Sequence, residues 1–180
     1  MECGKKLWEA IAMSYIMSIL KKIESTITKE EIYEIFPSHV PNRPIFNLDE
    51  DRYLRSERDI IKAKEILSLP REDIDWAAYS NINQEACSCI SFFSENFYKD
   101  IFPSLLCFSI SPKCILPSGG VNILVDIFIT SHLDTNNVYK DWELEFLLSF
   151  NDKQSRAVAL ILAGLNEKWA LENYWAGYLP

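Results

Sequence analysis

The sequence predicts an all-α fold: a single irregular bundle of about seven to eight helices spanning residues 1–180. Three observations lead there. Glycine is scarce, with five in 180 residues, which disfavours the many tight turns of a sandwich or barrel. Apolar residues recur at three-and-four spacing along most of the chain, the pattern that gathers them on one helical face. Helix-start signals, a small polar residue followed three positions later by Glu or Gln, also recur. With 48% apolar and 13% aromatic residues the chain can build a sizeable core, and its length suits one domain.

The first helix is expected over residues 5–24, where Leu7, Trp8, Ile11, Ala12, Tyr15, Ile16, Ile19, Leu20 and Ile23 share a face. Met13 and Met17 lie partly outside that stripe and either widen the buried face or leave a soft apolar patch. Glu9 and the Lys21-Lys22 pair break the run, so it reads neither as a secretion signal nor as a membrane span. Thr28 and Glu31 form a capping box for a short helix from Lys29 to Phe36, which Pro37 stops. Residues 37–47, with Pro37, Pro41 and Pro44, read as a loop within the domain. From Leu48 to Ser68 acids and bases alternate around an apolar stripe of Tyr53, Leu54, Ile60, Ile61, Ile66 and Leu67, the signature of a solvated helix.

Leu69-Pro70 is expected to open another helix, with Glu72, Asp73 and Asp75 in its first turn and Trp76 and Tyr79 behind them. The stretch Cys87–Ser111 holds half of the ten phenylalanines and is the expected centre of the core. Asn83 caps a helix through Phe92 in this reading, and Ser94 caps the next. Pro103 should kink or end that second helix, and Ser111-Pro112 closes the block. In residues 121–129 the β-branched Val121, Ile123, Val125, Ile127 and Ile129 occupy every second position, which reads as a short strand, although Ile123, Leu124, Ile127 and Phe128 also fit one helical face. A further helix falls within Asp141–Phe150, and the last opens at Asn151 with Gln154 three residues on. Trp169, Tyr174, Trp175 and Tyr178 crowd the end of the sequence, either folded back or exposed to a partner.

Charge and residue chemistry then narrow the function. The net charge of −8 has the wrong sign for direct nucleic-acid binding, in which neutralising phosphates supplies much of the affinity. Cys3, Cys87, Cys89, Cys107 and Cys114 show no metal-ligand spacing with His39 and His132, and read as reduced thiols in a cytoplasmic protein. Gly119-Gly120 lacks the Lys and Ser/Thr of a phosphate loop, so the sequence calls for no nucleotide or other cofactor. No nucleophile elbow and no histidine-based catalytic set is present, which leaves no catalytic residue to name. The best carboxylates for a metal-dependent hydrolase would be Asp49, Asp51, Asp73 and Asp75.

Two groups of residues resemble a known pattern. One is Trp76, followed by Cys89 through Phe97 and Tyr98 through Ser104. The other is Phe150 through Val158, with Gln154 and Arg156 inside it. Together they resemble an uncharacterised bacterial family of unknown function, over roughly residues 70–165. Lys153-Gln154 and Ser155-Arg156 stand where that pattern carries a Glu-Gln pair before an arginine. The resemblance implies a helical fold and a bacterial origin, and no chemistry.

The composition favours interaction over turnover. Asp73, Asp75 and Trp76 form one acidic-aromatic cluster, and Asp141, Trp142, Glu143 and Glu145 form a second. Negative charge steers encounter with a cationic protein and a tryptophan supplies contact energy. The expectation is a non-catalytic acidic binding protein of the bacterial immunity class, monomeric or weakly dimeric, which neutralises a basic toxin domain. A homo-oligomeric adaptor, using the first helix or the aromatic tail, is the alternative.

Overall fold

The computed structural model describes residues 26–38, 57–82, 93–111, 141–165 and 175–179, with isolated positions 14, 17, 18, 21, 22 and 45. These residues form six α-helices: α1 (Lys29–Ile35), α2 (Glu57–Leu67), α3 (Trp76–Ile82), α4 (Glu95–Ser109), α5 (Asp141–Leu148) and α6 (Asp152–Leu165). Short 3₁₀ turns occupy Arg71–Asp73 and Ala176–Tyr178. The described part is mostly helical and contains no strand. Positions 14, 17, 18, 21 and 22 are helical, within the span expected for the first helix. Outside the described residues lie the rest of that helix, the acidic run 49–51, the expected cap Asn83 and the ambiguous segment 121–129.

Helix α1 begins where the sequence places it. Thr28 Oγ1 accepts from the Glu31 N–H at 3.2 Å, and the Glu31 carboxylate accepts from the Thr28 N–H at 2.7 Å. This reciprocal pair satisfies two amides that have no partner inside the helix. Thr28→Ala is therefore expected to cost about 1 kcal/mol, measured as a shift in urea midpoint with an unchanged slope. Ile32 and Phe36 are buried, so the short helix holds its place by packing more than by its own propensity.

Helix α4 is the axis of the structure. Ser94 Oγ accepts from the Phe97 N–H at 3.3 Å to start it, and the Ser94 N–H donates to the Ile45 carbonyl at 3.1 Å. The helix then runs for 15 residues and continues past Pro103, so of the kink or stop that the sequence predicts there, the stop does not occur. Proline there removes the hydrogen bond to the Lys99 carbonyl. Ile101, Phe102, Leu105 and Leu106 are nevertheless all buried, and keeping their common face intact outweighs one lost bond. α1, α5 and the 71–73 turn each pack against α4, while α6 packs on α1 and carries the 176–178 turn.

Phe102 is the hub of the core. Its ring centroid lies 5.3 Å from those of Phe36, Phe146 and Phe150, and 6.2 Å from that of Tyr98. These contacts join the end of α1, the face of α5 and the α5–α6 connection to α4. A second cluster joins Trp76, Tyr79, Phe93 and Phe97. Helix α6 opens as expected: Asn151 Oδ1 accepts from the Lys153 and Gln154 N–H groups, and Gln154 Oε1 accepts from the Asn151 N–H at 3.0 Å. The Gln154 amide also donates to the Ile35 carbonyl at 3.3 Å, so the same residue caps α6 and ties it to α1.

Two expectations need correction. The segment after Pro70 is not one helix. Ile74 is extended (φ −63°, ψ 116°) and buried, which ends the 71–73 turn, and Asp75 then starts α3 by accepting from the Ala78 N–H at 3.0 Å. In α2, Ile61 points outward at 52% exposure, whereas Ala63 and Leu67 are the buried positions. The buried stripe of α2 therefore runs through Ala63 and Leu67. α3 packs against α2. Trp175 is buried against Phe150 (6.4 Å between centroids), so this part of the aromatic tail folds back, while Tyr178 stays partly exposed.

Candidate functional site

The acidic cluster expected around Trp76 lies at a groove of about 550 Å³ bounded by α1, the 71–76 segment and α4. Asp73 and Asp75 are exposed on its rim, with Glu72 beside them, and Lys29 contributes a positive charge from α1. Tyr33, Ser104 and Cys107 also line it. The break at Ile74 is what sets the two aspartates on separate elements: Asp73 closes the turn, and Asp75 caps α3.

Trp76 departs from its expected role. It is only 5% exposed, its indole N–H donates to Ser104 Oγ at 2.7 Å, and its ring packs edge-on to Tyr79. A tryptophan held this way supplies the wall behind the carboxylates and cannot itself be the exposed contact. At the second cluster, Asp141, Trp142, Glu143 and Glu145 all lie on α5, and Glu145 is exposed. The side chains of the other three lie outside the described residues. The two clusters are carried by different elements, each packed on α4.

Beneath the rim sits a buried polar knot that the sequence reading did not single out. Arg71 is 8% exposed and Asp100 2%. The Arg71 guanidinium donates to the carbonyls of Asp100 (3.4 Å) and Tyr33 (3.5 Å), lies 3.9 Å from Asp100 Oδ1, and pairs with Glu72 at 3.0 Å. It also stacks over the Tyr33 ring at 5.3 Å, and Ser38 donates to Asp100 Oδ1 at 2.7 Å. The knot therefore fixes the 71–73 turn to α1 and α4, and with it the position of the acidic rim. One signal was available in the sequence: Asp100 stands within the most apolar stretch of the chain, where an acid is expensive unless it is paired.

Burial pushes the Tyr33 hydroxyl up to about 12 and the Cys107 thiol up to about 11. A thiol in that range is almost wholly protonated at neutral pH, which makes Cys107 a poor nucleophile. Because both groups titrate higher in the folded chain than in the unfolded one, their stabilising share is complete below the unfolded values. It is lost as pH rises through the folded ones. Melting temperature is thus expected to fall from about pH 9 to pH 12, and Tyr33→Phe should flatten the upper part of that fall. An identical alkaline profile in the variant would remove Tyr33 from the account.

The hydrolase alternative would need Asp73 and Asp75 to join Asp49 and Asp51, which lie outside the described residues. Among the described residues no group of three or more His, Cys, Asp or Glu side chains could hold a metal ion. No helix among them is long and apolar enough to cross a membrane. Comparison of the chain with known protein families, with curated proteins and with solved structures finds no match.

Proposed function

We propose that this chain is a non-catalytic, acidic protein-binding domain of the bacterial immunity class, which neutralises a basic toxin domain by stoichiometric binding. The observation that carries the reading is the pair of exposed carboxylates, Asp73 and Asp75, on the rim of a groove in a chain of net charge −8. Such a rim favours encounter with a cationic surface and raises the association rate at low salt. The buried knot of Arg71 and Asp100 supports it by holding the rim-bearing turn in place, so little ordering remains for the moment of binding. With Trp76 buried, the aromatic contact must come from elsewhere, and Trp142, which α5 carries three residues before Glu145 in the sequence, is the residue we assign to it. On this reading the whole chain forms one irregular bundle of about seven to eight helices and works in the cytoplasm.

The test is binding to a basic toxin domain encoded next to this chain in its genome, with one-to-one stoichiometry and loss of the toxin's activity. Asp73→Asn with Asp75→Asn should slow association roughly tenfold or more at low salt. Asparagine caps a helix about as well as aspartate, so the melting temperature should hold. Trp142→Ala with Glu143→Lys and Glu145→Lys should abolish binding and leave helicity intact. Unchanged affinity in both variants would reject these surfaces. Mass that rises with concentration in the absence of any partner would point instead to the homo-oligomeric adaptor.

A further inference from the structure

We draw no further inference here: the strongest candidate, the groove of about 420 Å³ between α1 and the head of α6 where Lys153 and Arg156 face Glu31 and Glu34, carries nothing because no observation in the structure shows what occupies or covers it.

Discussion

Phe102→Ala is expected to destabilise the protein by roughly 3–5 kcal/mol, the usual range for deleting a fully enclosed phenylalanine. The ring is 0% exposed and touches four others, contributed by α4 itself, the end of α1, α5 and the α5–α6 connection. Aromatic contacts of this kind add to the area they bury, and the structure around a deleted ring relaxes only partly into the void. A domain of ordinary stability has about 5–15 kcal/mol in total, so this one change should leave the chain close to unfolding. Urea denaturation followed by circular dichroism is the direct measurement. Phe102→Leu, which keeps most of the volume, should lose clearly less. A Phe102→Ala variant that melts like the parent would mean that α4 is not the axis around which the other helices pack.

The second large effect is expected at the buried charges. Arg71→Met keeps the length of the side chain but takes the guanidinium away from Asp100, Glu72 and the Tyr33 carbonyl. Breaking a buried pair from one side costs about 3–5 kcal/mol, because the remaining charge stays desolvated without its counterpart. Asp100→Asn should be costly for the same reason, since Arg71 is almost as deeply enclosed. The double variant is the informative one. If the two groups act as a pair, Arg71→Met with Asp100→Asn should lose much less than the sum of the single losses. Strict additivity would mean that the 3.9 Å approach contributes nothing and that each group is held by its other bonds. The knot also gives the binding proposal a control. If it positions the acidic rim, partner affinity should fall in Arg71→Met even under conditions where the variant remains folded.

Local chemistry written within four residues was legible in the sequence. The Thr28–Glu31 box, the Ser94 cap and the Asn151–Gln154 cap all form where the spacing predicts, because a cap needs only a side chain and an amide three positions away. The aromatic block was legible as the core for a similar reason: so many rings in one short stretch have no stable place except inside. The acidic character of the rim followed from composition alone.

What the tertiary structure decided was the fate of residues whose partners lie far along the chain. Trp76 reads as a contact anchor between its acids until the fold buries it and Ser104, 28 positions away, takes its N–H. Asp100 stands out in its apolar stretch as an acid that needs a partner, but only the fold shows that the partner is Arg71, 29 residues distant. Pro103 signals a kink or a helix end by local rules, yet α4 continues past it with buried residues on both sides. In each case the local preference is worth a few kcal/mol at most, and burial of several large side chains together exceeds it. Sequence spacing records the first quantity, and only the assembled packing supplies the second.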